Sequence, residues 1–276
     1  MCIKAYKIIK NEVKMITITP TLNIYNTNKN VASPSFKGSF EQEPLWLDDF
    51  FVYKKANSEA KKILDSKGDV LRQSKVEFQH AQAIVNARLK RVQQAVIKTP
   101  EKIKEFNGKK HYKEFFDGKL HSITTFSETE AGIKIDRINA YNSDGSMDVI
   151  IPDENNQVRN IHKNFRQIAP QSFIEDCGYR FEAGVLKSTN GALSYVHDGV
   201  VKEKVDTRED VYRFADGQLA SYFPKISCAG KDFYAPRIYN FQDGRLVGYA
   251  EDYTKLKDGF VDAKRQYDFT DVGFFA

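Results

Sequence analysis

Cysteine is scarce in this sequence. Cys2, Cys177 and Cys228 are the only three in 276 residues. An odd number without Cys-x-x-Cys spacing argues against both a disulfide framework and a structural zinc site. It fits a reducing compartment, and we expect a cytoplasmic protein. Long apolar runs are also missing. No stretch reaches the ~20 apolar residues of a membrane-spanning helix. In "MCIKAYKIIKNEVKMITITP" (1–20), lysines interrupt every apolar run before it attains the roughly 7–15 residues of a secretory core. We read Met15 beside Met1 as an alternative start, because the residues before it add no recognisable element.

Motifs that carry chemistry are absent too. There is no G-x-x-x-x-G-K-(S/T), G-x-G-x-x-G or G-x-S-x-G, so phosphate-cradling loops and nucleophile elbows have no foothold. The histidines (His80, His111, His121, His162 and His197) are scattered, without an H-x-x-x-H pair. Asn142, Asp144, Gly145 and Asp148 resemble part of a calcium loop. Ala140 and Ile151 occupy its first and twelfth positions, which breaks the EF-hand pattern and leaves a turn. Cys177 and His197 could form a thiol–imidazole dyad, but the acids of "EDCGY" work against a thiolate. Many carboxylates fall in turns such as "FFDGK" and "FQDG", where conformation accounts for them. We assign no catalytic, cofactor-binding or metal-ligating residue and expect no cofactor.

The net charge of +5 is unevenly spread. Residues 1–46 hold 6 basic and 3 acidic groups, 47–106 hold 13 and 8, and 107–276 hold 23 and 26. Of the 34 Phe and Tyr residues, 25 lie in the acidic last part, away from the basic charge. A nucleic-acid binder interleaves the two, so nucleic acid is not an expected partner.

What is present divides into three segments. Residues 1–44, rich in Asn, Thr and Ser, have no sustained period and read as a disordered tail. From 45 to 106 the apolar residues at 50, 53, 60, 64, 71, 78, 81, 85, 92 and 95 form a heptad seam, interrupted by Lys67, Ser74 and Arg88. No proline falls between Pro44 and Pro100, so a long helix or helical hairpin is predicted, with "SKGD" (66–69) as its weak point. It packs either on its own β-domain, the favoured alternative, or in a coiled coil with another chain.

Residues 107–276 read as β throughout. "YRFADGQL" (212–219) has relatives at "YRFEAGVL" (179–186), "YNFQDGRL" (239–246) and "FFDGKL" (115–120). Asp-Gly suits the two central positions of a type I′ turn, where both residues take positive φ. Each unit is then a hairpin, with Phe214 opposite Leu219. Glycines at 118, 132 and 145, and at 217, 230 and 244, recur every 13 or 14 residues. Short strands joined by local turns predict an up-and-down antiparallel meander of about a dozen strands. The fold class is α+β, with the amphipathic helix covering one sheet face.

On these aromatic-x-Asp-Gly-x-Leu units, 107–276 resembles the bacterial repeat modules related to MORN repeats, often described as antitoxin-type repeats. That resemblance implies an extended sheet used for interaction and not catalysis. "YNSDGSM" (141–147) is locally similar to cell-wall-binding repeats. Their ligand sits in tryptophan cages, and the single tryptophan here, Trp46, lies in the helical segment. Together these features point to a non-catalytic interaction or scaffold protein with a protein partner, the alternative being a carbohydrate-binding or carbohydrate-active module.

Overall fold

The computed structural model describes residues 3–9, 12–18, 45–197, 204–230, 232–256 and 259–270. The chain divides into two units, Met1–Pro44 and Leu45–Ala276. In the first, β1 (Ile3–Ile9) and β2 (Glu12–Ile18) pair antiparallel, from Ile3 opposite Ile18 to Ile9 opposite Glu12. A hairpin therefore occupies part of the segment expected to be a tail, while 19–44 lies outside the described residues. The segment is rich in isoleucine, with five between Ile3 and Ile18, a residue favoured in strands.

The second unit opens with α1 (Leu45–Lys98), one unbroken helix of 54 residues and roughly 80 Å. "SKGD" passes without a break, so the helical-hairpin alternative does not apply. Pro100 ends the helix and starts a short 3-10 turn, Pro100–Lys102; β structure begins at Ile103, slightly before the expected 107. The heptad seam lies on the molecule's own sheet. Ala56, Ala60, Ile63, Ala81, Val85 and Val92 are buried in one core with strand residues Phe126, Ile138, Ile161, Phe181, Phe214 and Tyr249. Two residues that interrupt the seam are buried as well, Ser74 at 2% exposure and Arg88 at 8%. The Ser74 hydroxyl donates to the Leu71 carbonyl one turn back at 2.9 Å, which satisfies it without leaving the helix.

The strands that follow are β3 (Ile103–Phe106), β4 (Lys109–Phe116), β5 (Lys119–Thr129), β6 (Gly132–Tyr141), β7 (Met147–Pro152) and β8 (Val158–Ala169). Next come β9 (Ser172–Glu175), β10 (Cys177–Glu182), β11 (Val185–Asn190), β12 (Leu193–His197) and β13 (Lys204–Ala215). The series closes with β14 (Gln218–Ala229), β15 (Asp232–Gln242), β16 (Arg245–Lys255), β17 (Val261–Asp262) and β18 (Arg265–Asp268). All sixteen join one antiparallel sheet in nearly sequential order. The departures are local: β9 and β12 pair with each other and extend β10 and β11 beyond interruptions at Asp176 and at Gly191–Ala192. α1 runs across the strands. Its C-terminal third meets β4 through Arg88 and Arg91, its middle meets β8 and β10 through Gln82 and Phe78, and its start meets β15 through Glu59. From Glu59 to Arg88 the helix rises ~44 Å, and the nine strand steps from β15 to β4 cover about the same length.

The hairpin units close as the sequence predicts. Phe214 pairs with Leu219, Phe241 with Leu246, Phe181 with Leu186 and Phe115 with Leu120, each followed by a one-residue bulge. Asp216 and Gly217 have φ of 49° and 77°, and Asp243 and Gly244 have 51° and 74°, as type I′ geometry requires. Nothing lies within 4 Å of a Cβ built on either glycine. Valine at 217 or 244 is therefore expected to cost about 1 kcal/mol or more through backbone strain alone. A lowered Tm for each variant checks this; melting like the parent would contradict it.

A second feature runs across the sheet. Asn164, Asp210 and Asp252 take positive φ within β8, β13 and β16. By register, Asp210 lies across from Pro224 and Asp252 across from Pro236. With the interruptions at Asp176 and Gly191, these residues form a crease over seven consecutive strand lines, where proline lacks the ladder donor and the αL residue bends its strand. The crease reverses which alternate residues face α1. Val211, Phe223, Ile226, Ala235, Ile238, Ala250 and Tyr253 consequently form a second buried cluster, built from β13–β16 on the side away from the helix.

Candidate functional site

The aromatics of the repeats are mostly consumed by the core beneath α1. Tyr212, Tyr222, Tyr239, Tyr249, Tyr267 and Phe269 form a cross-strand ladder with ring centroids 4.7–6.2 Å apart, and Phe269 meets Tyr53 of α1 at 4.9 Å. Four of the five tyrosine hydroxyls are engaged: Tyr212 with Ser66, Tyr222 with Asp210, Tyr239 with Glu59 and Tyr249 with Glu251. Burial, reinforced by the Glu59 carboxylate, pushes the Tyr239 phenol up to about 12. This ladder is a packing device and leaves few aromatics free for a partner.

The first hairpin departs from the others. In β13 the residue between the two aromatics, Arg213, faces away from α1 and Phe214 faces it. In β4 the order is inverted: Glu114 faces α1 and Phe115 faces out, 62% exposed. Glu114 accepts hydrogen bonds from the Ser122 hydroxyl at 2.8 Å and Arg91 at 2.7 Å and pairs with Arg88. The arginine that interrupts the heptad seam is thus the counterion of an inverted hairpin. Phe106 and Phe116, at opposite ends of the β3–β4 hairpin, are 69% and 70% exposed. Among the described residues β3 pairs only with β4, and where β3 stops the outer side of Lys113–Phe116 is also unpaired. This edge carries Lys102, Lys104 and Lys113.

The face away from α1 holds the sheet's polar groups around the crease. His162 Nδ1 lies 2.5 Å from Glu175 Oε2, and Asn190 donates to Glu175 Oε1 at 3.3 Å. Gly178 makes room for them, since a Cβ there would stand 2.7 Å from Glu175 and 2.9 Å from Asn190. Arg208 donates twice to Asp206, at 3.1 and 2.8 Å. Burial opposes the Arg208 charge, but Asp206 outweighs it and holds the guanidinium above its ordinary value. Arg213 stacks on Phe223 at 4.4 Å. Its pKa is pushed down to about 10, first by burial and then by Arg208.

The residues weighed in the sequence are not brought together. Cys177 is on β10 and His197 ends β12, strands that do not pair; the side chain of His197 lies outside the described residues. Cys177 approaches Tyr179 at 3.9 Å, and its thiol is raised, chiefly by burial. Asn142–Asp148 is a turn: Asn142 N donates to the Ser146 carbonyl, and Asp144 accepts from Ser146 N and Oγ. Asp148 pairs with Lys163. His80 and His121 are exposed, and His111 meets Thr125 at 3.1 Å. Among the described residues no three His, Cys, Asp or Glu side chains gather as a metal set, and no helix is long and apolar enough to cross a membrane. The crease arginines went unrecognised in the sequence, although the tripeptide Tyr-Arg-Phe occurs twice, at 179–181 and 212–214. No family model and no curated protein matches the chain.

Burial also sets thiol chemistry. Cys228 is pushed up to about 11, by burial first and Asp206 second. At pH 8 only about one Cys228 in a thousand is then a thiolate. Alkylation of native protein at pH 8 is expected to be slow at Cys177 and Cys228 and to become fast on unfolding. Peptide mapping of the two sites checks this; labelling at the rate of a free thiol would contradict it.

Proposed function

We propose that this chain is a non-catalytic interaction protein that docks a protein partner on the β3–β4 edge. The observation carrying this reading is the stepped free edge, with Phe106 at one end and Phe115 and Phe116 at the other. An unpaired strand edge offers main-chain hydrogen bonds to an added strand, and flanking exposed aromatics supply anchors. Lys102, Lys104 and Lys113 favour an extended segment carrying acidic residues. The likeness of the hairpin units to MORN-type interaction modules points the same way. The histidine–carboxylate pair His162–Glu175 lies on the open face, whereas Cys177 is on the α1 side of the sheet. A glycan reading has one observation in its favour: Phe165, Phe173 and Tyr195 form a row on the open face, with centroids 4.8 and 4.7 Å apart.

The test is capture of a stoichiometric partner from native lysate by the parent chain and by a Phe106→Asp/Phe115→Asp variant, with circular dichroism confirming that the variant folds. Loss of the partner from the variant alone is the expected result. Capture that ignores the edge, or hydrolysis of a bound glycan, overturns the proposal.

A further inference from the structure

The β3 edge carries charges that the molecule itself leaves unspent. Asn107 and Gly108 take φ of 50° and 67°, so β3 and β4 close on a two-residue type I′ loop. The flanking residues Phe106 and Lys109 bond to each other, and by alternation Lys104 bonds to His111. The backbone groups of Ile103 and Glu105 therefore point away from the sheet. The Ile103 N–H returns to the Pro100 carbonyl, which leaves the Ile103 carbonyl and both groups of Glu105 for an added strand. Ile103 packs on the core beside α1, so Glu105 shares the α1 face, while Lys104 and Phe106 share the open face.

Neither Lys104 nor Glu105 has an ion-pair partner among the described residues. Lys110, across from Glu105, goes to Glu128 at 2.8 Å, and His111, across from Lys104, meets Thr125 at 3.1 Å. Both Lys104 and Glu105 are exposed. A second copy of the chain is poorly matched to them. Added antiparallel, like the neighbouring pairs, a copy has to set outward-bonding residues across from each other. Glu105 across from Glu105 opposes like charges directly. Ile103 across from Glu105 sets Lys104 across from Lys104, and Ile103 across from Ile103 sets Lys102 across from Lys104 twice. Like charges directly across a ladder are destabilising, so every register in which a copy could bond is penalised.

We propose that the β3 edge refuses a second copy of this chain and selects a foreign strand that places an acidic residue across from Lys104 and a basic one across from Glu105. This rests on the docking reading above and names the chemistry of its partner. Ile103 and Phe106 bracket the two charges, so a strand entering antiparallel reads apolar, basic, acidic, apolar. Backbone bonds and Phe106 supply the affinity, and the two charges supply the choice, since a strand of the wrong sign meets repulsion at the same positions.

The experiment uses the full chain and short capped peptides with the cores Val-Lys-Glu-Val, Val-Glu-Glu-Val and Val-Lys-Lys-Val, titrated by fluorescence anisotropy at low and high salt. The parent should bind the mixed core about fivefold more tightly than either uniform core. Salt should narrow the difference. Lys104→Glu should move the preference to the Lys-Lys core, and Glu105→Lys should move it to the Glu-Glu core. Both positions are exposed, so each variant should keep the parent's circular dichroism and Tm. Sedimentation of the parent should show no dimer that Phe106→Asp disperses. Equal binding of the cores, lost in the Phe106→Asp/Phe115→Asp variant, overturns the charge selection and leaves the edge as a docking site. A native partner that ignores that variant overturns the docking reading itself. Binding of no core by the parent or either charge variant, or a parental dimer formed through this edge, overturns the proposal.

Discussion

Replacing Phe214 with alanine is expected to destabilise the Leu45–Ala276 unit by about 3–5 kcal/mol, while the same change at Phe115 stays within about 0.5 kcal/mol. The two residues hold the same position in the hairpin unit, each followed by Asp-Gly and a paired leucine. Phe214 has 0% exposure and sits under α1, so its removal forfeits transfer free energy and opens a cavity that a rigid sheet cannot close. Phe115 points into solvent. Denaturant unfolding of both variants reads the difference directly. Equal losses would mean that the first hairpin is not inverted.

Glu114→Ala should be comparably damaging, about 3–5 kcal/mol, because it strands the Arg88 guanidinium between helix and sheet. Arg88 is 8% exposed and reaches the sheet through Glu114. Burial already lowers its pKa, with Arg91 adding to the effect. Arg88→Ala should cost less, since Glu114 keeps Arg91 and the Ser122 hydroxyl. Replacing both, with leucine at 88 and 114, should recover most of the loss, as apolar residues often substitute for a buried pair at little cost. A double-mutant cycle measures the coupling. Strictly additive losses would place the two side chains apart.

The type I′ turns were legible because their signal is local. Asp-Gly needs only its own backbone preferences and the flanking aromatic–aliphatic pair, so the positions of Gly217 and Gly244 follow from eight residues of sequence. The long helix was legible from its period and the absence of proline. The seam interruptions were visible as residues but not as structure: Ser74 is satisfied by its own helix, and Arg88 by a carboxylate 26 positions away in a hairpin turned inside out. The crease was not anticipated either. It depends on single αL residues, Asn164, Asp210 and Asp252, whose neighbours show no turn composition, and on Pro224 and Pro236 standing across from two of them.

Sequence by itself determined the α+β class, the order of helix before meander, the register of the hairpins beside their turns, and the lack of any metal or nucleophile motif. Each rests on interactions between residues close along the chain. Tertiary structure alone decided which sheet face α1 covers, that the repeat tyrosines form a buried ladder, that the first hairpin turns Phe115 outward, and that β3 forms an edge of the sheet. These arise from pairings between strands dozens of residues apart. A one-residue bulge or a single αL kink reverses which side chains meet the core, and alternation in sequence does not record that reversal.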